Sequence, residues 1–114
     1  MINTKKIPFG GELRPLHFGF AALAEWCDLT GYGLNALSKL GNNMTLSSTI
    51  SLIFCGLKHG ARKEKKDFKF NSQDVADWID EEGIEIITEA MEIFTESMAK
   101  VGGEKKKKET QKKK

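Results

Sequence analysis

The sequence predicts a mainly α-helical fold: a small bundle of about five helices, opened by a short β-hairpin and closed by a disordered Lys-rich tail. Three observations carry this reading. Apolar residues recur at helical spacing over most of residues 18–101. Two short extended segments flank Gly10-Gly11 near the start of the chain. After Val101 no apolar residue occurs, and the chain ends in lysine runs. At 114 residues the chain is long enough for one modest core. The predicted organisation is therefore a single helical domain over 1–101 and a basic tail over 102–114.

The hairpin spans about residues 5–16, with Lys6-Ile7-Pro8-Phe9 on one side of the Gly-Gly turn and Glu12-Leu13-Arg14-Pro15-Leu16 on the other. Two glycines supply the positive φ values that a tight turn demands. Pro8 and Pro15 lack the amide proton of a ladder hydrogen bond, so both strands are short or at an edge.

From Phe18 the period changes to that of a helix. Phe18, Ala22, Trp26 and Leu29 form one stripe, with Leu23 and Cys27 beside it, and Gly31 follows as a left-handed cap. Leu34, Leu37 and Leu40 predict a short second helix closed by Gly41-Asn42-Asn43. Thr45 caps a third, whose apolar stripe is Leu46, Ile50, Ile53, Phe54 and Leu57. Lys58 and His59 suit its C-terminal dipole, and Gly60 is expected to stop it. Residues 61–70 form a charged connection. Asn71 or Ser72 caps the next helix, with Val75, Trp78 and Ile79 on its apolar face and an end near Glu82-Gly83.

The last predicted helix is the longest. Ile84, Ile87, Met91, Phe94, Met98 and Val101 alternate at spacings of 3 and 4, and Ile86, Ala90 and Ile93 make a second row. Two apolar rows imply packing on more than one side. The seam is either monomer core or a surface for a partner helix or a second copy.

Charge is segregated along the chain. The tail carries seven lysines against two glutamates; subtracting its +5 from the chain's +2 leaves −3 on residues 1–101. Residues 71–100 hold nine acids against Lys100 alone, whereas 58–70 hold six basic residues against Glu64 and Asp67. The basic pI thus describes the tail, and the expected domain is acidic.

Chemistry is sparse. Apolar runs such as Leu52-Ile53-Phe54-Cys55 are far below the ~20 residues of a membrane span, and the first residues lack a signal-peptide core. No membrane association and a cytoplasmic location are the expectations. Cys27 and Cys55 each sit in an apolar helical pattern, as buried reduced thiols would. Cys55 and His59, at i and i+4, are the best candidate nucleophile pair, but no third residue orients them. His17, His59 and the cysteines lack zinc-ligand spacing. The glycine pairs lack phosphate-loop context. Neither catalysis nor a cofactor is expected. The stretch Lys63 to Phe70 interleaves basic and aromatic residues, as single-strand binders do. A small nucleic-acid-binding regulator using residues 62–70 and the Lys-rich tail is therefore the alternative function, disfavoured by the acidic domain.

The run from Ile7-Pro8-Phe9-Gly10-Gly11 through Pro15-Leu16-His17-Phe18-Gly19-Phe20 to Leu23 resembles the opening of tail assembly chaperones from long-tailed bacteriophages and prophages. Those begin with a segment of the form FGG…YPLRFGF.AL.E and a helix closing in TG, here Thr30-Gly31. Leu57-Lys58-His59-Gly60 is similar to their GLKHG, and Asp74 to Asp80 resembles their EDVADWID-like stretch. The resemblance covers roughly residues 5–100.

The resemblance implies a mainly helical, non-catalytic protein of the bacterial host's cytoplasm. Its implied partners are the tape-measure protein, which such chaperones coat, and the tail-tube protein, which they help deliver. In such phages a longer product often arises by a ribosomal frameshift, and A-rich slippery codons would encode an oligo-lysine run. The expected partner-binding residues are Ile84, Ile87, Met91, Phe94 and Met98, with Met91 and Met98 suited to an imperfectly matched client. Self-association through the same seam is the competing use.

Overall fold

The computed structural model describes residues 4–33 and 45–99. Over these the chain is mainly helical, with a two-stranded antiparallel hairpin, β1 (Lys5–Phe9) and β2 (Glu12–Leu16), followed by α1 (Phe20–Thr30), α2 (Leu46–Lys63), α3 (Ser72–Glu82) and α4 (Glu85–Met98). The described residues hold four helices. The additional helix predicted around Leu34–Leu40, the end of the α4 seam at Val101 and the Lys-rich tail lie outside them. No described helix is long and apolar enough to cross a membrane.

The hairpin follows from its turn. Gly10 and Gly11 take φ of 65° and 85°, which places a two-residue loop between Phe9 and Glu12 and fixes the register Ile7↔Arg14. Ile7 and Phe9 then point to the core, and Leu16 closes it from the second strand. Gly10 has a second role. A Cβ there would stand 2.7 Å from the Trp78 ring, so the turn can lie on α3 only as glycine.

α1 ends as its sequence predicts, with Gly31 left-handed and its N–H on the Cys27 carbonyl. Its buried face is Ala22, Leu23 and Trp26, while Leu29 is exposed. Trp26 is fully buried, and its indole N–H donates to the Ser48 carbonyl at 2.9 Å, so burial leaves no donor unmatched. Thr45 caps α2, accepting from the Ser48 amide. Asn71 caps α3 in a reciprocal box with Asp74.

One predicted boundary is corrected. Gly60 does not stop α2, which runs to Lys63 and is closed by Lys65 at φ 59°, with the Lys66 amide on the Ala61 carbonyl. Gly60 serves packing instead: a Cβ there would meet the Pro15 carbonyl oxygen, and one on Gly56 would meet the Phe18 ring at 2.5 Å. The two glycines, four residues apart, cut a notch in α2 that receives the end of β2. The His17 amide donates to the Gly56 carbonyl at 3.0 Å across this notch. A mid-helix glycine costs about 1 kcal/mol in propensity, which the close approach of strand and helix offsets.

One core therefore unites the elements. Phe9, Leu16, Phe18, Trp26, Leu52, Ile53, Cys55, Leu57 and Val75 are buried together, joined from α4 by Ile86, Ala90, Ile93 and Phe94.

Candidate partner-binding face

α4 places its apolar residues on two different arcs. At about 100° per residue, Ile86, Ala90, Ile93 and Ser97 share one arc, and all four are buried. Phe94 lies at the edge of the same arc, 4% exposed, with its ring edge-on to Phe18 at 5.3 Å. Phe94, a candidate partner-binding residue, is thus part of the core, the other use that the sequence allowed for the seam. Ile87, Met91 and Met98 sit on the flank, half-buried, and Ile84 lies beyond them at 75% exposed. The expected seam therefore divides: one member faces inward, three sit on the shoulder and one is open.

That shoulder borders a groove of about 530 Å³. Ile87 and Met91 form one edge, Thr88 and Thr95 the middle, and Glu92 and Glu96 the other edge. Among the described residues the lining comes from α4 alone. Glu96 is drawn toward β1 by Lys5, with Nζ to Oε1 at 2.8 Å. The Lys5–Glu96 pair is exposed at both ends, so it contributes little to stability.

A second polar cluster joins α1 to α2. Glu25 on α1 receives Lys58 Nζ and His59 Nε2, each at 2.8 Å, and Arg62 Nε donates to His59 Nδ1 at 3.2 Å. Since Nδ1 accepts from Arg62, Nε2 carries the proton that reaches Glu25. Burial acts to raise the Glu25 carboxyl, but the hydrogen bonds from Lys58 and His59 outweigh it and hold it below its ordinary value. His17, bound through Nδ1 to Thr4 Oγ1 at 3.0 Å, is shifted down by burial and by Lys63, His59 and Arg62.

This geometry bears on the candidate nucleophile. Burial, reinforced by the Glu25 charge, pushes the Cys55 thiol up to about 12, and both ring nitrogens of His59 are engaged elsewhere. The pair is packed as structure and lacks the features of an activated thiolate. Cys55 is buried, Cys27 is half-buried, and both are free. Among the described residues no three His, Cys, Asp or Glu side chains are grouped as metal ligands.

The basic-aromatic connector has a structural use that the sequence did not reveal. Phe68 and Phe70 form a chain of ring contacts, Phe54 to Phe68 at 6.1 Å, Phe68 to Phe70 at 5.2 Å and Phe70 to Trp78 at 4.8 Å. Arg14 covers it, its guanidinium 4.4 Å from the Trp78 centroid and 4.9 Å from Phe70, while Nε donates to the Phe9 carbonyl. The rings that would stack on bases already pack edge-on or tilted against one another. In comparisons with family models, curated proteins and solved structures, nothing matches the chain.

Proposed function

We propose that this protein is a tail assembly chaperone of the long-tailed phage type, a non-catalytic holdase that covers apolar helical segments of a tape-measure protein and assists recruitment of tail-tube subunits. The observation that carries the reading is the shoulder of α4. There Ile84, Ile87 and Met91 remain open or half-open beside a groove, although the same helix already supplies a buried row to the core. A client helix laid on that shoulder would bury its stripe, returning roughly 25 cal/mol for each Å² of apolar area covered. Met91 and Met98 can adjust to sequences that vary along a long client.

The short motifs that carry the resemblance support the reading in a second way, because they meet in space. Gly10 of the first lies on Trp78 of the last, and Pro15, Leu16 and Phe18 seat on Gly56 and Gly60 of the middle one. Their order along the chain is thus explained by one packing unit. Co-expression with a segment of a tape-measure protein tests the proposal. Soluble client that co-purifies with this chain is expected, and client that remains insoluble despite abundant folded chaperone would overturn it.

A further inference from the structure

We infer that the α4 groove selects a basic amphipathic helix, one whose apolar stripe is bordered on one side by Lys or Arg. The inference rests on the proposed use of α4 as a client surface and adds a charge requirement to it. Glu85, Glu89, Glu92 and Glu96 stand at i, i+4, i+7 and i+11 in one stripe, of which Glu92 and Glu96 line the groove, and no basic residue occurs from Glu85 to Met98. Like charges at this spacing destabilise a helix by a few tenths of a kcal/mol per pair. Lys5 meets Glu96, but among the described residues Glu85, Glu89 and Glu92 have no cation within ion-pair distance. Among the described residues the row is therefore poorly compensated, and its members Glu92 and Glu96 face Ile87 and Met91 across the groove.

That asymmetry decides between occupants. In a second copy paired antiparallel about a two-fold axis, the glutamates would face their own equivalents. In a parallel pairing they would lie on Ile87 and Met91 of the other chain. Both arrangements are repulsive or desolvating. The chain's own tail supplies seven lysines but no apolar residue, so it would leave Ile87 and Met91 uncovered. A helix with an apolar stripe and one basic border matches both edges at once.

Two labelled synthetic helices sharing one leucine stripe, bordered by Lys in one and by Glu in the other, test this on the full chain at low salt. Fluorescence anisotropy should show the Lys-bordered helix binding about tenfold tighter, since each exposed ion pair adds a modest factor. The Glu92→Lys, Glu96→Lys double variant, which changes the two glutamates that line the groove, should reverse the order while its circular dichroism stays that of the parent. Equal binding of both helices, or a preference unchanged in the variant, overturns the charge requirement and leaves the apolar client surface standing. Binding of neither helix overturns the use of α4 itself, and the inference with it.

Discussion

The hairpin with α1 and α2 and the single helix α4 use apolar residues in opposite ways. In the first region close approach governs the inner face, while Leu13, Phe20, Leu29 and Leu46 stand exposed outside it. Gly56 and Gly60 give up side chains so that Pro15, Leu16 and Phe18 can sit against the α2 backbone, and Trp26 is buried with its N–H matched. In the second, Ile86, Ala90, Ile93 and Phe94 are buried, Ile87, Met91 and Met98 pack against the core while staying partly open, and Ile84 is exposed. The contrast is between docking by close backbone approach at glycines and docking by a one-sided row of apolar side chains.

Substitutions should separate the two regions by size of effect. The largest belongs to the notch. Gly60→Leu forces a side chain into the Pro15 carbonyl and is expected to leave the chain unfolded or molten by near-ultraviolet circular dichroism. Trp26→Ala removes a fully buried ring and its hydrogen bond, and should cost about 3–5 kcal/mol in urea unfolding. On α4, Phe94→Ala should approach that figure, whereas Met91→Ala, on the half-exposed shoulder, should cost under about 1 kcal/mol. Equal losses at the two α4 positions would dissolve the distinction between the helix's inner and outer arcs.

Acid should weaken the β2–α1 junction at His17 and the α1–α2 contact made by Glu25. His17 and Glu25 both have folded values below their ordinary 6.5 and 4.5, so the unfolded chain binds more protons than the folded one in each window. The contributions of these two groups are complete above 6.5, start to fall as pH drops through that value, and fall again below 4.5. Urea midpoints across this range should show the first step vanish in His17→Gln and the second in Glu25→Gln. The smallest effect expected is a gain. Lys65 holds a left-handed conformation that favours glycine, and Lys65→Gly should raise stability by up to about 1 kcal/mol in the same assay.

Much of this fold is legible in the sequence because local chemistry and tertiary packing agree. Gly10-Gly11 specifies the turn, Thr45 and Asn71 specify helix starts, and Gly31 specifies a stop. Gly60 misleads because a glycine near the end of a periodic segment serves equally as a cap or as a place for another backbone, and only the partner element decides. The seam on α4 is legible as apolar but not as divided. Its alternating spacing of 3 and 4 drifts around a straight helix, so Phe94 and Ile84 fall on different sides of the same row. Phe68 and Phe70 look like an exposed binding strip until Trp78 and Arg14, distant in sequence, are brought beside them.

The central claim is that the α4 shoulder holds a client while the rest of the chain only builds the platform. An Ile87→Asp, Met91→Asp double variant, co-expressed with an apolar tape-measure segment, tests it most directly, with its own fold checked by circular dichroism and gel filtration. The account predicts a folded chaperone that no longer keeps the segment soluble. A folded variant that solubilises the segment as well as the parent does would contradict it.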